Sequence, residues 1–176
     1  MIRLKVFLLG ACSLCPLFVL PGCGAKSGGP EAGVAEKSVS VQIADRATFE
    51  KLLEQKKGKV VLVDCWATWC VPCQTEFPHT VELSERFDPA QLAVISVSMD
   101  EPGDQEKVLA YLKQNHATFD NLISSYGIGQ EGFSAFGIDD KGIPHYKLYD
   151  RKGKLRYTAS SNKDTQQQIK QLLAEP

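Results

Sequence analysis

Two cysteines separated by two residues, Cys70 and Cys73, stand between an apolar run and the start of a helical pattern, in Trp66-Ala67-Thr68-Trp69-Cys70-Val71-Pro72-Cys73. Two thiols at that spacing can close a small disulfide with little rearrangement. The first would lie where unpaired backbone N–H groups and the helix dipole favour a thiolate. The second, one turn further in, would be shielded and could resolve a mixed disulfide formed by the first. Pro72 suits the first turn of a helix, where a missing N–H costs nothing.

The chain has six cysteines, and the other four read differently. Cys12-x-x-Cys15 together with Cys70-x-x-Cys73 has the spacing of a four-cysteine zinc site. The first pair, however, lies in an apolar leader that should never meet the second, so no metal site is expected. Cys65 falls on the strand before the motif and reads as a buried structural thiol. His79, His116 and His145 lack ligand spacing and read as surface or packing side chains.

Arg3 and Lys5 precede the apolar run Val6 to Leu20, the pattern of a secretory signal too short for a comfortable membrane span. The run ends in Leu20-Pro21-Gly22-Cys23, which resembles a bacterial lipobox. That resemblance implies a signal over residues 1–22, cleavage before Cys23, and lipidation of its sulfur; an ordinary cleaved signal with an incidental cysteine is the alternative. Residues 23–38 are rich in Gly, Ala, Ser and Glu without hydrophobic periodicity, as in a flexible tether. The expected location is extracytoplasmic, with the protein held to a membrane by its lipid anchor.

The folded part is then expected over residues 39–176. The whole chain has 176 residues, 43% hydrophobic and 23% charged, ordinary for a soluble domain with one core. A formal net charge of −1 gives no reason to expect a nucleic-acid partner. Val39 to Ile43 reads as an edge strand, followed by a helix with Asp45 as cap and Phe49, Leu52 and Leu53 on one face. Val60-Val61-Leu62-Val63 reads as a buried central strand. Phe77, Val81, Leu83 and Phe87 mark the helix after the cysteines, and Leu92 to Val97 a further parallel strand. A helix beginning near Asp104 and marked by Val108, Leu109 and Leu112, a strand near Leu122 and a helix near Phe133 follow. Tyr146 and Leu148, then Leu155 and Tyr157, flank the turn Asp150-Arg151-Lys152-Gly153 as an antiparallel hairpin. Ile169, Leu172 and Leu173 give a closing helix. The fold class is α/β, with a mixed central sheet flanked by helices.

The stretch Val60 to Pro78, VVLVDCWATWCVPCQTEFP, resembles the thioredoxin superfamily, and in particular the membrane-tethered TlpA/ResA-like reductases. The resemblance extends from about Val39 to the C-terminus, with a central insertion between Cys70 and Pro144. It implies a thiol-disulfide oxidoreductase working through a redox-active disulfide and no other cofactor. Pro78 corresponds to the proline that kinks the active-site helix and frees the carbonyl of Gln74. Ile143-Pro144 corresponds to the cis-proline facing the cysteines, with Ile143 backbone exposed for strand-like pairing with a substrate. Its register would also bring His145 near the cysteines. Asp64 matches the buried aspartate of cytoplasmic thioredoxins, or it caps a turn. Glu76 matches the buried glutamate of ResA-like proteins, or it is a solvated helix charge. Either acid, if buried, could tune or relay protons for Cys73. Trp69 is expected to shield the disulfide.

The partners so implied are disulfide-containing client proteins and a membrane thiol carrier as electron donor, with cytochrome c maturation as one client pathway. Three functions stay open: a protein disulfide reductase, a thiol oxidase or isomerase, and a non-catalytic thioredoxin-like binding module. Val71-Pro72 places no polar group between the cysteines and favours the reductase. The threonine and arginine that a peroxidase would want around its cysteine are not identifiable.

Overall fold

A β-branched run with no polar side can only lie where helices cover both faces of a sheet. The computed structural model describes residues 38–139 and 142–175, and in it Val60–Trp66 is such a strand, β2, with all seven residues buried. The other strands are β1 (Gln42–Ala44), β3 (Leu92–Ser98), β4 (Asp120–Ser124), β5 (His145–Tyr149) and β6 (Leu155–Ala159), arranged β1-β4-β3-β2-β5-β6. β2 pairs parallel with β3 and antiparallel with β5, so the sheet is mixed. The helices are α1 (Arg46–Gln55), α2 (Val71–Arg86), α3 (Gln105–Gln114), α4 (Gln130–Ala135) and α5 (Thr165–Ala174). The expected insertion supplies α3 and β4, and β4 enters the sheet between β3 and the edge strand β1. The expected signal peptide over 1–22, lipidated Cys23 and most of the tether lie outside the described residues.

Local chemistry sets the element ends. Asp45 caps α1 by accepting the Thr48 N–H at 2.8 Å. The β5–β6 turn closes with Gly153 at φ +78°, a conformation glycine adopts without penalty, while Asp150 Oδ1 accepts the Lys152 and Lys154 N–H groups at 3.0 Å each. Helix α2 runs through Pro78 and ends at Phe87, whose N–H reaches the Leu83 carbonyl.

Two apolar clusters hold the layers together. Leu62, Leu83, Val94, Leu148, Ile169 and Leu172 join β2, β3 and β5 to α2 and α5. In the larger cluster Phe77 of α2 packs on Trp66 at 4.6 Å and on Tyr111 of α3 at 5.4 Å between ring centroids. Phe49 of α1 meets Phe136, just past α4, edge-on at 5.4 Å. The Phe77 cluster therefore fixes how the helix that begins at the cysteines lies on the strand that leads to them. Phe77→Ala, at a position with no exposure, should cost about 3–5 kcal/mol of stability. Urea unfolding followed by tryptophan fluorescence reads this, because Trp66 reports on the same contact.

Candidate functional site

Strand β2 delivers the chain to the cysteines, and Cys70 becomes the N-cap of α2. Cys70 and Cys73 are joined as a disulfide, with their Cα atoms 5.2 Å apart. Cys70 is 6% exposed and Cys73 1%, so the expected order of access holds. The Cys73 N–H points at Cys70 Sγ from 3.3 Å, one of the unpaired donors of the helix start. After reduction this donor would stabilise a Cys70 thiolate. Pro72 stands exposed in the first turn, where its missing N–H is not needed.

The Ile143–Pro144 peptide is cis, as the resemblance implied. Pro144 is buried, and the Ile143 carbonyl oxygen lies 3.8 Å from Cys70 Sγ. Substrate backbone drawn to this bend would therefore arrive beside the outer sulfur. Trp69, expected to shield the disulfide, stands 46% exposed, and Val71 on the other side of Cys70 is 72% exposed. The two form an open apolar rim beside the outer cysteine.

Pro78 lies inside α2. It has no N–H for the Gln74 carbonyl, which instead accepts the Tyr111 hydroxyl at 3.4 Å.

Asp64 is buried at 1% exposure, and its Oδ2 accepts the Thr80 hydroxyl at 2.6 Å. It caps nothing. Its Oδ1 has no hydrogen-bond partner among the described residues. Burial pushes the Asp64 carboxyl up to about 7; the Thr80 hydrogen bond opposes this, and the Glu76 charge adds to it. Glu76 is half-buried, neither fully enclosed nor a solvated helix charge. Its Oε2 accepts the Asn162 N–H at 2.9 Å, and the Asn162 side-chain amide donates to the Glu76 carbonyl at 3.0 Å. The buried Tyr146 hydroxyl lies near Asp64, Glu76 and Thr80 and has no hydrogen-bond partner among the described residues. Burial, with both acids nearby, drives that phenol far above its ordinary range.

Cys65 is buried, with its thiol pushed up to about 11 by desolvation, as befits an inert structural cysteine. His145 is 2% exposed; its register partner is Cys65, and its Nδ1 lies 3.6 Å from Asp139 Oδ1. No group of three or more His, Cys, Asp or Glu side chains among the described residues is placed to hold a metal ion.

Sequence spacing gave no warning of three residues that fix the cysteine loop. Asp100, fully buried just past β3, accepts the Thr68 N–H at 2.8 Å, the Ser98 hydroxyl at 2.6 Å, and the Thr68 hydroxyl. Gln74 of α2 donates through its side-chain amide to the Thr68 carbonyl. The polar alternation Ser96, Ser98, Asp100 at the end of an apolar run marks buried polar side chains but not the loop they bond.

A family model described as the AhpC/TSA family matches residues 35–158. The chain belongs to that family. A thioredoxin-like protein, YneN, from Bacillus subtilis is 34% identical over 97 residues, which cover 52% of this chain and 56% of that protein. The thiol-disulfide oxidoreductase ResA of Geobacillus thermodenitrificans is 26% identical over 138 residues, 74% of this chain and 71% of ResA. The chain spans little more than half the length of the Bacillus relatives it matches. Among solved structures, a thiol-disulfide isomerase from Corynebacterium glutamicum superposes with a TM-score of 0.61 at 22% identity, over 70% of this chain and 86% of that one. That likeness establishes the thioredoxin-like fold.

The raised Asp64 carboxyl has a consequence for stability. Its folded value, about 7, exceeds the unfolded 3.8, so between these the folded state binds more protons and stability falls as pH rises. The loss is complete above about pH 7. Asp64→Asn keeps an acceptor for Thr80 and cannot ionise. It should flatten the fall between pH 4.5 and 8 and be the more stable protein at pH 8, by a few kcal/mol on the order set by the shift. Urea midpoints at those two pH values check this.

Proposed function

We propose that this chain is an extracytoplasmic thiol-disulfide oxidoreductase that reduces disulfides of client proteins through Cys70 and Cys73. The observation that carries the reading is a disulfide at a helix N-terminus whose outer sulfur lies against the carbonyl of a cis-proline peptide. A purely structural disulfide would have no use for an open apolar rim beside the outer cysteine and an acceptor for extended backbone at Ile143.

The cycle starts from the dithiol. The Cys70 thiolate attacks one sulfur of a client disulfide; the client S–S bond breaks, and its second sulfur leaves as a thiolate that takes a proton from solvent. Cys73 then gives up its proton, attacks Cys70 Sγ, and releases the first client sulfur as a thiolate that is protonated in turn. The protein is left as the Cys70–Cys73 disulfide, two electrons poorer. A thiol donor must return those electrons, and a membrane thiol carrier is the class that fits an anchored protein. Asp64, with a carboxyl near 7, is suited to take and return the Cys73 proton, with Glu76 setting its charge environment.

The lipobox-like Leu20 to Cys23 supports anchoring outside the cytoplasm, and no helix among the described residues is long and apolar enough to cross a membrane. The resemblance of Val60 to Pro78 to the TlpA/ResA-like reductases supports the reductive direction, and with it apocytochrome cysteines awaiting haem as one client class; the relatives themselves are named thiol-disulfide oxidoreductases.

The chain should catalyse reduction of insulin disulfides by dithiothreitol. Cys73→Ser should accumulate a mixed disulfide through Cys70, visible by mass spectrometry, and Cys70→Ser should accumulate none. Lack of turnover and of any trapped adduct would leave only a binding module. The equilibrium potential of the Cys70/Cys73 couple fixes direction: a value near or below thioredoxin's, about −270 mV, is expected. One near or above about −180 mV would make the protein an oxidant or isomerase. Asp64→Asn and Glu76→Gln should each displace the thiol titration curve; two unchanged curves would remove both acids from the mechanism.

A further inference from the structure

The stretch between the end of β2 and Cys70 is short, a single turn outside any helix or strand, yet it must hold the attacking sulfur still. Every polar group of Thr68 is nevertheless engaged. Its N–H and hydroxyl both go to the Asp100 carboxylate, and its carbonyl accepts from the Gln74 side chain. Asp100 is held from its own side by the Ser98 hydroxyl at 2.6 Å, while its N–H donates back to Ser98 Oγ at 3.1 Å. The neighbouring backbone is tied as well, with the Met99 N–H on the Trp66 carbonyl at 2.7 Å and the Cys70 N–H on the Ala67 carbonyl at 3.2 Å.

A fully buried carboxylate whose hydrogen-bond partners are neutral is an expensive way to close a turn. Apolar packing would stabilise the loop at lower cost. What the carboxylate adds is direction: two fixed acceptors that define where one backbone N–H and one hydroxyl must sit. Thr68 is two residues before Cys70, and Gln74 is four residues after it. The clamp therefore joins the strand end, the loop and the second turn of α2 into one rigid frame around the reactive sulfur.

We propose that Asp100 is a positioning residue for Cys70, acting through Thr68 to hold the attacking thiolate in its reactive geometry. The proposal rests on the reading of Cys70 as the nucleophile. It assigns to Asp100 a role in sulfur reactivity and not only in stability. A misplacement of about 1 Å at a reacting group can cost up to about a hundred-fold in rate, so loss of the clamp should be read in the chemistry even when the fold survives.

The test is the pH profile of Cys70 alkylation by iodoacetamide in the reduced chain, mapped by peptide mass. In this reaction the thiolate forms a carbon–sulfur bond and iodide leaves, so it needs neither client nor electron donor. Thr68→Val removes the hydroxyl and keeps the N–H bond to Asp100; Asp100→Asn replaces one acceptor oxygen by a donor. Both should lower the high-pH plateau rate at least about five-fold, within the range expected of small misplacements. Thr68→Ser, which restores the hydroxyl, should return the rate to within about two-fold of the parent on the same reasoning. Near-UV circular dichroism establishes that each variant is folded; if Asp100→Asn is not, Thr68→Val carries the comparison. Folded variants with the parental profile would make Asp100 a stabilising group only and overturn the proposal. Failure of the parent to reduce insulin, with the alkylation differences intact, would instead overturn the reductase reading and leave the positioning role standing.

Discussion

Strand β2 is buried on both faces along its whole length, and almost everything at the site depends on that. Backbone pairing with a neighbour on each edge fixes its register. Here β3 and β5 read the same strand from either side, opposing Asp64 to Ser96 and to Tyr146, and Cys65 to Val97 and to His145. The place where the chain leaves the sheet is thereby set, and so is the start of α2. The disulfide sits at this junction, where a helix exposes unpaired N–H groups at the end of a strand buried along its whole length. Strand β5 follows directly from the cis-proline, so pairing β5 with β2 is also what brings the Ile143 carbonyl to Cys70.

Burying a strand completely forces a decision about each polar side chain it carries or meets. Asp100 accepts three hydrogen bonds and serves as a fixed strut. Asp64 accepts one and leaves Oδ1 without a partner; burial, with the Glu76 charge adding to it, pushes its carboxyl up to about 7, where it can gain and lose a proton. Lys147, buried on β5, makes a third case: its ammonium reaches the Phe136 carbonyl at the end of α4 and lies 5.2 Å over the Phe49 ring. It answers the negative end of a short helix and packs its stem in the core.

The legible parts of the fold were those written in local pattern. The β2 run, the Asp45 cap, the cysteine spacing, the proline pair and the β5–β6 turn each declare themselves within a few residues, and each stands where expected. Helix α4 and strand β4 were readable only as fragments, because glycines break the periodicity around them and the sheet position of β4 depends on partners far along the chain. The hydrogen-bond partners of the site were hidden for the same reason. Asn162 meets Glu76 across 86 positions, and Asp100 meets Thr68 across 32. Nothing in the spacing of Ser98 and Asp100 says which loop they will face. Trp69 shows the reverse limit: exposure is decided by what packs over a side chain, and the Trp66 ring, not Trp69, takes the buried place against Phe77.

Gln74 shows how the pieces act together. A glutamine on the exposed side of a helix usually has its carbonyl committed to the residue four ahead and its amide in water. Pro78 removes the first commitment, and the carbonyl turns to the Tyr111 hydroxyl; the amide turns back to the Thr68 carbonyl. One residue thus ties α3 to α2 through its backbone and α2 to the cysteine loop through its side chain. Tyr111 in turn packs on Trp66 and Phe77, the contact that seats α2 on β2. The helix-interior proline is therefore better understood as a source of a free carbonyl than as a simple bend. It couples the inserted helix α3, which a minimal version of the fold would lack, to the frame that holds Cys70.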